Sequence, residues 1–325
     1  MTTRYLATVA TLSAACALVS LSAADYKVPR TPWGDPDLSG TWTTEAELTV
    51  PFERPSEFGT RQWLTDAEFE QRLKRTGTQL ESDNAEFTIE NADISNAGAV
   101  GSATSPPPHW LERRETSRRT SLVVDPPDGR IPPMTAEGRQ RLATTAGGGG
   151  NGPYDGPEEM SLWVRCIARG LPSVTFPTVY NANTRIVQGP GYVALTYEMI
   201  HDTRVIPIGP TGSAARMGPS IRQYLGNSRA HWDGDTLVVD ATNFTNKLPY
   251  RGSSEALHLT ERFRRIDKDT VRYEVTVDDP RTWTAPWTAA LDLRRQSASL
   301  FEYACHEGNY AMQNILKGSR AADRK

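Results

Sequence analysis

The run of alternating side chains in the second half constrains this chain more than any other feature. In "VRYEVTVDD" Val271, Tyr273, Val275 and Val277 take every second position, with Arg272, Glu274 and Thr276 between them. Successive strand side chains point to opposite faces, so this is a strand with one buried and one wet face. With "LHLTERFRRIDKD" before it, the segment reads as a hairpin. Comparable runs recur as "RIVQGPGYVALTYEMI" around Gly-Pro-Gly, "VIPI", "TLVVDATNF" after Asp-Gly-Asp, "WTAALDLRRQ" and "SLFEYACHE". Six to nine such strands with turn signals about every ten residues predict a mainly β fold, an antiparallel barrel or sandwich with few short helices.

The first half lacks that regularity. Arg4, the apolar "YLATVATLSAACALVSL" and the small residues Ser22 to Ala24 read as a signal peptide over residues 1–24. The apolar stretch is short and has no basic stop-transfer flank, so no transmembrane anchor is expected. A strand is expected at Leu38 to Thr43 and a helix over Leu64 to Arg75, where Thr65 and Glu68 form a capping box. "TSLVVDPPDGRIP" reads as strand, turn and second short strand, and Glu81 to Pro108 as an irregular excursion. The run Gly147 to Gly150 marks a break. Residues 25–150 are therefore expected as an irregular extension packing on the sheet domain, residues 151–325, which a short helix at Met160 to Arg169 opens.

Charge narrows the partners. A net charge of −3 over 325 residues gives no electrostatic footprint for nucleic acid or an anionic membrane, leaving a small molecule as the expected ligand. Export to the periplasm or the outside also decides the cysteine count. Cys16 leaves with the signal, and Cys166 and Cys305 remain as the simplest single disulfide in an oxidising compartment. In the loop-entropy model such a long closure is worth roughly 4–5 kcal/mol.

Taken together, "GDPDLSGTW", "SLVVDPPDGRIPP", "YEMIHDTR", "WDGDTLVVDATNF", "HLTERF", "TVDDPRTWTAPWT" and "YACHEGNY" resemble a large family of uncharacterised exported bacterial proteins. The resemblance spans most of the chain after the signal and implies export without implying a reaction. "DLSGTW" followed by antiparallel strands also resembles lipocalin-like barrels, which implies a ligand-binding interior.

Three histidines stand beside carboxylates: His201 with Glu198, His258 inside "LHLTERF", and His306 with Glu307. Strands far apart in sequence can aim such groups into one cavity. Converging imidazoles with an open position would suit zinc or copper. Without metal, a histidine base, an orienting carboxylate and Arg204 would serve proton transfer in a lyase, isomerase or hydrolase. Nothing in the chain signals a nucleotide or redox cofactor. Period-two spacing sets His258 and Glu261 on opposite faces of one strand, so only one of them can enter a cavity. Tyr197, Arg251, Trp283 and Trp287 are candidate substrate contacts, the tryptophans as a stacking lid. The competing expectation is a lipocalin-like binder in which these residues only shape a pocket, or a structural envelope protein with no pocket.

Overall fold

The structure, a computed structural model, describes residues 26–83, 116–145, 154–210, 217–218, 220–308 and 310–322. The expected signal peptide, the polar stretch from 84 to 108 with His109, and the glycine run at 147–150 lie outside these residues.

The fold is mainly β. Ten strands form one antiparallel sheet: β1 (Gly40–Thr43), β2 (Val123–Asp125), β3 (Asn183–Gly189), β4 (Tyr192–Tyr197), β5 (Thr203–Pro207), β6 (Asn227–Asp233), β7 (Thr236–Thr242), β8 (His258–Asp267), β9 (Thr270–Asp278) and β10 (Trp287–Gln296). The order is β5-β4-β3-β1-β10-β9-β8-β7-β6, with β2 also pairing β10. The two end strands approach each other, Ile208 bridging Ala230 in parallel, but no continuous ladder closes the sheet. Among the described residues three α-helices accompany it: α1 (Asp66–Asp83), α2 (Ala136–Thr144) and α3 (Ala311–Ala322).

The alternation read in β9 is realised across the sheet. Phe263, Tyr273 and Leu291 align on β8, β9 and β10, as do Leu259, Val277 and Trp287, all essentially without solvent contact. Burying each large apolar side chain is worth about 1.5–3 kcal/mol, so these rows set the inward face. Trp42 joins the same core with its Nε1 donating to Leu38 O at 2.9 Å. The buried side chains of these strands pack into one hydrophobic cluster.

Residues before 150 are not only a covering. β1 lies between β3 and β10, Trp42 pairing with Thr184 on one side and Arg295 on the other. It therefore joins two blocks of strands that sequence order leaves separate. Other parts of this region cap the outer face of β9 and β10, where Arg119 reaches both Glu47 (3.7 Å) and Asp292 (3.5 Å), and Arg272 Nε donates to Asp292 at 2.6 Å. Burial raises the Glu47 pKa despite Arg119. The capping box forms as expected, Glu68 accepting from Thr65 N at 2.8 Å, and α1 runs past Arg75 to Asp83.

Three local expectations are corrected. "SLFEYACHE" forms no strand, because Phe301 N donates to the Glu198 carboxylate at 2.8 Å and Cys305 N closes a three-residue turn onto Tyr303 O. Met160 to Arg169 is a series of tight turns and not a helix, since Cys166 takes a left-handed backbone with φ of 56°. Past the turn at Asp128, Arg130 to Pro133 forms no second strand.

Candidate functional site

The Cys166–Cys305 disulfide is present, its Cα atoms 5.8 Å apart across 139 residues. It ties the turns around Cys166 to the C-terminal segment, and the surrounding side chains form the candidate site.

His201 belongs to the tight turn between β4 and β5. Met199 and Ile200 are both buried there, while Ile200 and His201 take left-handed backbone with φ of 61° and 47°. A β-branched residue in that region is an outlier held only by its surroundings, at a cost of order 1–3 kcal/mol. Here the two buried anchors fix the turn and leave the His201 side chain exposed. Its ring meets the Tyr303 ring edge-on, with centroids 6.4 Å apart. Tyr303 in turn stacks on Tyr180 at 6.4 Å and 5°. Burial, with a hydrogen bond and charge interaction from Tyr303, pushes the Tyr180 hydroxyl up to about 12. Beside His201, burial also raises Asp202.

Arg169 completes the group. Its backbone N–H approaches Asp202 Oδ2 at 3.5 Å, and its guanidinium stands 5.0 Å from the Trp163 ring centre. Nη1 is buried without a hydrogen-bond partner, and among the described residues no carboxylate pairs with this side chain. Burial lowers its pKa, with Tyr180 and Tyr303 acting in the opposite sense. Arg169 lines a cleft of about 290 Å³ with Gly170, Leu171, Ser173, Leu248, Pro249, Tyr250 and Arg251.

The other expected site residues divide clearly. Arg204 is spent on a buried network: its guanidinium donates to Glu261 (2.6 and 3.1 Å), Tyr197 Oη (3.0 Å) and Ser228 Oγ (2.7 Å), and Tyr273 Oη also donates to Glu261. Glu261 is thus the inward member of the β8 pair. His258 lies on the outer face, its Nε2 3.0 Å from Asp240 Oδ1. Glu198 is a buried latch, accepting from Asn183 Nδ2 and Phe301 N, and so does not orient an imidazole. His306 and Glu307 lie exposed in the bend after Cys305, and no described hydrogen bond or ring contact joins either to His201. The three histidines therefore do not share a centre, and among the described residues no group of three or more His, Cys, Asp or Glu is arranged to hold a metal. Trp283 and Trp287 are core residues in edge-to-face contact at 5.9 Å, not a lid.

Arg169, Tyr180 and Tyr303 were not singled out in the sequence. A usable signal was present, since Arg169 follows Cys166 by three residues and Tyr303 precedes Cys305 by two. A disulfide between those cysteines brings the flanks together. Comparison with models of known protein families finds no match, and comparison with curated proteins finds none either.

Proposed function

We propose that the protein is an exported enzyme that binds a small organic carboxylate at Arg169 and transfers protons through His201. The observation that carries this reading is the Arg169 guanidinium, short of an acceptor and without a carboxylate partner. A ligand carboxylate would supply that acceptor in charge-assisted hydrogen bonds. Arginine held beside aromatic rings is suited to this, because its planar fork matches a carboxylate.

His201 is exposed and held in a strained turn, as positioned catalytic groups often are. Imidazole is the side chain best matched to proton transfer near neutral pH. In this reading it removes a proton from a carbon next to a carbonyl, while the Tyr303 hydroxyl hydrogen-bonds the enolate oxygen that develops. Asp202, beside it, would stabilise the imidazolium. Export is supported by the N-terminal signal pattern and by a disulfide. A barrel-like curl of the sheet is supported by the Ile208–Ala230 bridge and by Arg204 on β5 reaching Ser228 on β6.

Calorimetry with small carboxylates from acetate to phenylpyruvate, on the protein and on Arg169→Gln, tests the binding step. Saturable binding that the variant loses is expected; absence of binding overturns the reading. Proton exchange of bound phenylpyruvate in D2O, followed by NMR, is expected to slow at least tenfold in His201→Gln. Tight binding with no exchange instead favours a carrier without catalysis.

A further inference from the structure

We infer that the cleft at Arg169 is built for a dicarboxylate, with Arg251 receiving the second carboxylate; the inference rests on the Arg169 reading above. Both arginines line the same cleft, and no acidic residue lines it with them. Neither guanidinium makes an ion pair among the described residues. Two positive charges line one half-open cleft of about 290 Å³, and a ligand with a carboxylate at each end would neutralise both.

Arg251 is also presented deliberately. Its guanidinium stands 4.9 Å from the Phe52 ring centre, so its long side chain is steered without its charge being cancelled. The backbone holding it is strained, with φ of 49° and ψ of 42° in a non-glycine residue. The adjacent Gly252, at φ of 77°, packs against the α2 backbone, where a Cβ would meet Gly138 O at 2.9 Å. That close approach locks the turn and aims Arg251 toward the cleft wall it shares with Leu248 and Pro249.

Succinate, glutarate and adipate are each compared with the monocarboxylate of equal carbon number by calorimetry on the whole protein. At least one dicarboxylate is expected to bind tenfold or more tightly than its monocarboxylate partner. In Arg251→Gln that preference falls to below threefold while monocarboxylate affinity is kept, and Arg251→Lys, which retains the charge, keeps part of the preference. Equal affinities in the unaltered protein, or a preference that survives Arg251→Gln, overturn the inference and leave the Arg169 site standing. If the unaltered protein binds none of these acids, or Arg169→Gln binds them all as before, both readings fall.

Discussion

Arg204 Nη2 lies 2.6 Å from Glu261 Oε2, with both side chains buried. The contact spans the sheet order, joining the end strand β5 to β8, the third strand from the opposite end. Tyr197 and Ser228 accept further bonds from Arg204, and Tyr273 Oη donates to Glu261, leaving only Nε of that guanidinium without a partner, so a charged pair is accommodated in an otherwise apolar interior.

Removing one partner should be costly. Glu261→Ala leaves the Arg204 charge buried and uncompensated, and about 3–5 kcal/mol of stability is expected to be lost in urea unfolding. The double variant Arg204→Met/Glu261→Met should lose less than either single change, because it buries no lone charge. A Glu261→Ala loss below about 1 kcal/mol would contradict this account.

The disulfide should matter for both stability and site. It closes a 139-residue separation, for which the loop-entropy model gives about 5 kcal/mol. Dithiothreitol is expected to lower the melting temperature of the protein but not that of Cys166→Ser/Cys305→Ser. Reduction should also weaken carboxylate binding, since Tyr303 is then held only through its neighbours.

Tyr180 provides a pH signature. A tyrosine whose folded pKa is raised adds stability that is present below its ordinary value near 10 and is lost as pH rises through the folded value, about 12. In NMR of ring-labelled protein, Tyr180 should remain protonated when most tyrosines have ionised. Tyr303→Phe should lower its pKa, though not fully, because burial is the larger cause. A Tyr180 midpoint near 10 in the unaltered protein would show that burial does not act as described.

His201 tests the link between strain and function. Glycine accepts φ of 47° without a Cβ penalty, and the His201 side chain is exposed. His201→Gly should thus match or exceed the parent stability, by up to about 1 kcal/mol, while losing proton exchange. A clear loss of stability in thermal melts would mean that the imidazole supports the turn.

Much of the fold was readable from local pattern. The β8–β9 hairpin, β10 and the turn between β3 and β4 follow from period-two spacing and turn residues. The capping box at Thr65 and Glu68 is an equally local arrangement. The misreadings at Met160 to Arg169 and at "SLFEYACHE" share one cause. Both segments carry local patterns of regular structure, yet their backbones answer to distant partners, the Cys166–Cys305 bond and the Glu198 carboxylate.

The candidate site was less readable for a related reason. Period-two spacing showed that His258 and Glu261 oppose each other, but a strand can present either face inward. Leu259 and Phe263 share the Glu261 face and turn it inward, and Arg204 and the Tyr273 hydroxyl give Glu261 the buried charge partner and donor it needs there. In the same way, "RTSLVVDP" and "GTWT" show strands without showing that β1 would bridge two distant blocks.

By itself the sequence determined most of the strands and their two faces, the helix start at Thr65 and, on the expectation that the signal is removed, a single cysteine pair. These depend on residues close together in the chain or on simple counting. The tertiary structure alone decided what pairs with Glu261 on the inward face, where β1 inserts, and which arginines remain uncompensated. Burial and charge pairing are properties of neighbours in space, and Arg204 and Arg169 cannot be told apart until those neighbours are known.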